Sequence, residues 1–168
     1  EMNANPIISG FTTNPTLMRN AGVKDYKTFA LDILSHISDK PISLEVFSDD
    51  FNIMEEQALE ISSGAENVYV KIPITNTKAE SSVELIDRLS ANNVKINVTA
   101  IMTIDQVKSI LSSLSKGPGG FVSVFAGRVA DTGIDPLPLM SAAVEMLKIS
   151  EKAELIWASP MELLNIMQ

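Results

Sequence analysis

The chain has 168 residues, 45% of them hydrophobic and 20% charged, the composition of an ordinary globular domain long enough for a sizeable core. It has no cysteine and a single histidine, His36, which excludes disulfides, thiolate metal sites and multi-histidine metal centres. The formal net charge of −8 argues against nucleic acid as the main partner, so an anionic substrate would need a local positive site. No apolar run is long enough to span a bilayer and no signal-peptide pattern opens the chain, which predicts no membrane partner and a cytoplasmic location. The start at Glu1 rather than methionine points to a missing beginning.

Residues 7–12 read as a short strand that ends in the turn signal Thr12-Thr13-Asn14-Pro15. A short helix start follows at Thr16. Residues 26–37 then carry Phe29, Ile33, Leu34 and Ile37 at helical spacing, broken by Asp39-Lys40-Pro41. Residues 42–47 form a strand, and Asp50 caps a helix over 51–62 that Gly64 ends. Residues 68–75, Val-Tyr-Val-Lys-Ile-Pro-Ile-Thr, are β-branched and apolar with one lysine in the middle. A helix is predicted over 77–91, a strand over 94–100, and a helix capped by Thr103. The loop Lys116-Gly117-Pro118-Gly119-Gly120 lacks phosphate-binding spacing and precedes a strand, residues 121–125. Residues 126–136 read as a long exit loop, 137–149 as a helix, 154–159 as the last strand, and 160–167 as another helix with proline in its first turn.

Strand and helix thus alternate six times, the pattern of βα units on a parallel sheet. The absence of an early Gly-x-Gly-x-x-Gly motif weakens an open dinucleotide-binding sheet, and polar residues inside the strands point to a closed barrel. Glu45, Lys71, Asn97 and Ser123 recur every 26 residues, each flanked by aliphatic neighbours on its own strand. Side chains alternate along a strand, so the aliphatic residues pack on the helices and these four line the interior at one height. Thr99, Phe125 and Ser159 are placed on the same inward phase, one step nearer the C-terminal mouth, where such barrels hold their active sites.

Lysine is rarely buried without a reason, and burial favours the free amine, which adds to a carbonyl to give a Schiff base. A neighbouring carboxylate can move protons through water. Lys71 beside Glu45 therefore suits iminium chemistry on a ketone, with no metal and no cofactor. A purely structural polar network is the competing explanation. Arg128 follows the strand 121–125, where a guanidinium can hold a phosphate bidentately, unless Asp131 or Asp135 pairs with it.

At these residues the chain resembles the transaldolase family, in the small-subunit branch that includes fructose-6-phosphate aldolase. The matching stretches are Gly10-Phe11-Thr12-Thr13-Asn14-Pro15-Thr16, Val70-Lys71-Ile72-Pro73, Asn97-Val98-Thr99, Ser123-Val124-Phe125-Ala126-Gly127-Arg128 and Trp157-Ala158-Ser159-Pro160. The resemblance implies an α/β fold, a (β/α)8 TIM barrel of the class I aldolase type. Six βα units are visible, with the first strand and the C-terminal βα unit missing, so that residues 1–168 form a single, partial barrel domain. It implies Lys71 as Schiff-base lysine, Glu45 and Thr99 on the catalytic water, Asn14 and Asn97 on the dihydroxyacetone hydroxyls, and Arg128 with Ser123 and Ser159 on the phosphate. Glu45 and Phe125 resemble the transaldolases, whereas the aldolase branch has Gln and Tyr there.

The expected activity is transfer of a dihydroxyacetone unit from a ketose phosphate to an aldose phosphate in the pentose phosphate pathway. The alternatives are release of free dihydroxyacetone, or a non-catalytic sugar-phosphate-binding fragment. The family's first-strand Asp falls before residue 1, which predicts loss of the cleavage step in the chain as it stands. Met161 replaces a basic residue frequent in the family after Trp-Ala-Ser-Pro, which puts more of the phosphate on Arg128. The full-length protein is expected to be a homo-oligomer.

Overall fold

The structure is a computed structural model that describes residues 2–150 and 152–160. Six parallel strands follow one another in chain order across a single sheet: β1 (Phe11–Thr12), β2 (Ile42–Glu45), β3 (Val68–Pro73), β4 (Ile96–Ile101), β5 (Gly120–Val124) and β6 (Ala153–Trp157). Between them run α1 (Pro15–Asn20), α2 (Tyr26–His36), α3 (Phe51–Ser62), α4 (Val83–Ala91), α5 (Ile104–Ser115), α6 (Ala126–Asp131) and α7 (Leu137–Leu147). A sheet in simple sequential order with a helix after each strand is the arrangement of a (β/α)8 barrel, here present in part.

The strands sort their side chains as alternation requires. Val70, Ile72, Ile96, Val98, Val122 and Val124 are 0% exposed and share one cluster with Met54 and Ala58 of α3, Leu85, Ile86 and Leu89 of α4, Val107, Ile110 and Leu114 of α5, and Ala143 of α7. Each fully buried Leu or Ile contributes about 1.5–3 kcal/mol, so this outer layer holds the sheet to its helices. The opposite phase carries Ser43, Glu45, Tyr69, Lys71, Asn97 and Ser123 into the interior. Local chemistry sets the boundaries: Asp25, Asp50 and Thr103 accept backbone N–H groups at the starts of α2, α3 and α5, and Thr103 forms a capping box with Gln106.

Several expected boundaries shift. The strand over 7–12 contracts to Phe11–Thr12. The helix over 77–91 begins only at Val83. Its expected first turns are a compact loop instead, closed by an antiparallel bridge between Thr75 and Ser81. Buried Asn76 organises that loop, accepting from the N–H groups of Lys78 and Glu80. The segment 126–136, read as a loop, opens with the helix α6. The helix over 137–149 ends at Leu147. Of the helix expected over 160–167, Pro160 lies outside any regular element and residues 161–167 fall outside the described residues, as does the functional reading of Met161.

Two glycines allow close approaches that set the frame. Gly119 (φ +87°) leads into β5 and lies so near the Lys152 carbonyl that a Cβ would sit 2.0 Å from it. At Gly127 a Cβ would fall 1.6 Å from the Ser159 carbonyl oxygen, so the first turn of α6 lies directly on the chain leaving β6. Among the described residues no helix is long and apolar enough to cross a membrane.

Candidate active site

Register brings the central residues together. Glu45 lies opposite Lys71, and Lys71 opposite Asn97, along three adjacent strands. Lys71 is 8% exposed, so its ammonium does not snorkel out to solvent. Its Nζ donates to Glu45 Oε2 at 2.8 Å and to the Thr13 carbonyl at 3.0 Å. The lysine side chain is 10% exposed and the Glu45 side chain 22%, so the carboxylate is the more open end of the pair.

Ser123 departs from the expected height. The 26-residue interval would set it level with Asn97, yet Asn97 lies opposite Phe121. Ser123 stands two residues nearer the C-terminal mouth, about 6.6 Å along the strand at the usual rise. Its hydroxyl still reaches Asn97 Oδ1 at 2.7 Å. The other end of Asn97 donates from Nδ2 to Ser43 Oγ at 2.9 Å. Asn97 is 0% exposed and braced at both ends, leaving one N–H and one lone pair of its amide for a ligand. Above it the β4–β5 register shifts between Val98 and Ile101, with Ala100 at φ +59°.

Thr99 is 3% exposed, and its Oγ1 is buried without a hydrogen-bond partner. An unpaired buried hydroxyl costs about 1–3 kcal/mol, so Thr99 Oγ1 has unused donor and acceptor capacity on the interior face. Asn14 caps α1, accepting the Leu17 N–H on Oδ1 at 2.8 Å. Phe125, half-buried, sits at the N-cap of α6. Arg128 lies on α6, exposed, with Nη1 bonded to Asp131 Oδ2 at 3.1 Å, the partner weighed against a phosphate.

Ser159 does not sit on the inward phase. Trp157 pairs with Val124 and packs on the helix side, and Ser159 shares its parity. The chain has left the strand by then, and Ser159 adopts φ +55° with its carbonyl against Gly127. That turn, not strand alternation, sets its position.

Three contributors were not singled out from the sequence. Thr13 supplies the carbonyl that holds Lys71 and is itself anchored to the Ser43 carbonyl through N–H (3.0 Å) and Oγ1 (3.1 Å). Ser43 shares the inward phase of Glu45 two residues on, so alternation alone could have found it. Tyr26 of α2 packs edge-on against Phe47 at 4.4 Å, its buried hydroxyl near the Thr13 side chain and the Glu45 backbone without completing a hydrogen bond to either. Burial pushes its phenol up to about 12; the Glu45 charge adds to this, while Thr13 and the Glu45 backbone pull the other way.

The ring of Tyr69, one inward step below Lys71, meets that of Phe121, opposite Asn97, at 4.4 Å, and Lys95 Nζ lies 5.7 Å over Tyr69. They line, with Ser43, a cavity of about 720 Å³. Among the described residues no group of three or more His, Cys, Asp or Glu is placed to hold a metal ion.

The arrangement is thus a buried amine paired with a half-open carboxylate, above a braced amide and beside an unpaired hydroxyl. The family model for transaldolase/fructose-6-phosphate aldolase matches residues 1–168. The chain is 36% identical to a probable transaldolase of Dehalococcoides mccartyi over 84% of this chain and 62% of that protein. It is 39% identical to one of Carboxydothermus hydrogenoformans over 80% of this chain and 58% of that protein. A probable transaldolase of a Thermoanaerobacter species is 33% identical over 100% of this chain and 74% of its own length. The chain therefore spans about three fifths of the length of the first two relatives. By its motifs, its strand order and this match, the chain belongs to the transaldolase/fructose-6-phosphate aldolase family.

Proposed function

We propose that the protein is a transaldolase that carries a dihydroxyacetone unit on Lys71. The observation that carries this is the buried Lys71 ammonium bonded to Glu45 at 2.8 Å. Transfer of one proton along that bond gives a neutral amine and a carboxylic acid side by side. The amine attacks the ketone carbon of a ketose phosphate, and the carbonyl oxygen leaves as water with protons relayed from Glu45, forming the iminium. Cleavage of the C3–C4 bond, with the C4 hydroxyl proton passing to the carboxylate that the family resemblance places outside residues 1–168, releases an aldose phosphate and leaves a three-carbon enamine on Lys71. Addition of that enamine to an acceptor aldose phosphate, then hydrolysis, completes the transfer.

The unpaired Thr99 Oγ1 and the Glu45 carboxylate hold the water used in formation and hydrolysis of the iminium. The unused amide N–H groups of Asn14 and Asn97 bind the dihydroxyacetone hydroxyls. Ser123, Ser159 and Arg128 take the phosphate, with Arg128 exchanging Asp131 for it, and Phe125 lines the mouth. Glu45 and Phe125 favour transfer over release of free dihydroxyacetone, because a Tyr hydroxyl beside the water would open another proton route. The wider proposal is an enzyme of the pentose phosphate pathway, cytoplasmic and homo-oligomeric when full-length, its residues 1–168 forming part of one barrel domain and using no cofactor.

The test is borohydride trapping. The chain, and a version extended at both ends, are incubated with fructose 6-phosphate and reductant, and the adduct is mapped by mass spectrometry. An adduct on Lys71 is expected. Its absence from the extended protein would remove the Schiff-base reading.

A further inference from the structure

The residues around Lys71 chain back to one place on β2. Ser43 is 2% exposed and faces the interior, one inward step below Glu45 and opposite Tyr69. Barrel interiors are normally filled by branched apolar side chains, so a serine here needs a reason. Its Oγ accepts from Asn97 Nδ2 at 2.9 Å, a bond that joins β2 to β4 across the intervening β3. That bond rises from the Tyr69 level to the Lys71 level, since Asn97 lies opposite Lys71. Its carbonyl accepts from both Thr13 N–H and Thr13 Oγ1. The Thr13 carbonyl in turn receives Lys71 Nζ.

We propose that Ser43 is a positioning residue for the Lys71 site, with its hydroxyl fixing the Asn97 amide and its carbonyl fixing the Thr13 backbone that holds Nζ. It touches no substrate and acts through those two neighbours. Without the hydroxyl, Asn97 Nδ2 loses that acceptor in a place closed to solvent, and the amide is held only at Oδ1 by Ser123. Small misplacements of reacting groups cost catalysis far more than binding. Arg128, on α6, lies outside this brace and keeps its hold on the phosphate.

This inference rests on the Schiff-base reading of Lys71. The test uses the version extended at both ends and measures borohydride trapping on Lys71 with saturating fructose 6-phosphate, together with kcat and KM. Ser43→Ala is expected to slow trapping and kcat at least tenfold and to raise KM by a smaller factor. In an Asn97→Ala background the same change should cost less than twofold, because the group it acts through has gone. Ser43→Thr and Ser43→Val have nearly equal volume and differ by the hydroxyl, so they separate the brace from packing. Ser43→Thr is expected to stay within threefold of wild type and Ser43→Val to match Ser43→Ala. A folded Ser43→Ala that traps at the wild-type rate, or loses as much in the Asn97→Ala background, overturns the inference alone. A wild type that forms no adduct overturns the Lys71 reading and this one with it.

Discussion

Breaking the Lys71–Glu45 pair tests whether the site exists as drawn before any substrate is added. At 2.8 Å the two charges attract by about 6 kcal/mol for an effective dielectric near 20. Taking them out of water opposes this by several kcal/mol per fully buried ion, a cost that falls almost wholly on the lysine, 10% exposed, and less on the glutamate, 22% exposed. The net contribution of the intact pair is therefore small. Removing one member is different, because it strands the other. Lys71→Met leaves the carboxylate and the Thr13 carbonyl without their donor and is expected to destabilise by about 2–4 kcal/mol. Glu45→Gln keeps an acceptor for Nζ but loses the opposite charge, costing about 1–2 kcal/mol. In the double variant neither charge is stranded, so its loss should fall short of the summed single losses by about 1–3 kcal/mol. The assay is urea denaturation of all four proteins at pH 7 and low salt, followed by circular dichroism. Additivity within about 0.5 kcal/mol would refute the reasoning, because it would mean the two side chains do not meet in the folded protein.

Arg128→Ala breaks an exposed pair with Asp131 worth at most about 1 kcal/mol, so the fold should be unaffected. It should raise KM for phosphorylated sugars about tenfold or more, the scale of a lost charged hydrogen bond, and leave free dihydroxyacetone unchanged. Equal effects on both would remove Arg128 from the phosphate. Tyr26 predicts an alkaline limit. Its folded pKa of about 12 lies above the unfolded value near 10. Its contribution to stability is therefore full below about pH 10 and is lost as pH rises through about 12, by at most ~2 kcal/mol after allowance for its partial exposure. The urea midpoint of wild type should keep a constant offset from that of Tyr26→Phe below about pH 10 and fall relative to it as pH rises from about 10 to about 12; parallel curves throughout would show that the phenol is not buried as described.

The sheet, its order and its two faces were legible because alternation inside a buried parallel strand leaves little choice. Leu44 and Val46 around Glu45, or Val70 and Ile72 around Lys71, fix which way the polar residue points. The ends of elements were less legible, because they depend on contacts that local pattern does not carry. The stretch 77–82 has helical composition. The buried Asn76 side chain nevertheless satisfies the N–H groups of Lys78 and Glu80 better than a first helical turn would, since a first turn leaves its own N–H groups unpaired. The stretch after Phe125 offered no cap residue to read, yet it is a helix because Gly127 lets its first turn lie on the Ser159 carbonyl.

The equal 26-residue interval shows how far periodicity reaches into a site. It is a statement about chain length, whereas height in a barrel is a statement about register. The two coincide from Glu45 to Lys71 to Asn97, where each strand pairs at the same offset as the last. They part at β5, where Gly120 faces Ile96 rather than a residue two positions earlier. The hydrogen bonds absorb the difference: Ser123 Oγ reaches diagonally back to Asn97, and Asn97 reaches diagonally down to Ser43. A brace that climbs by one inward step at each bond follows the strand stagger that curving a sheet toward closure demands. Sequence spacing located two of its three members through repetition. Ser43 lies outside that repetition; alternation places it inward, and its link to Asn97 appears when the bonds that cross β3 are traced.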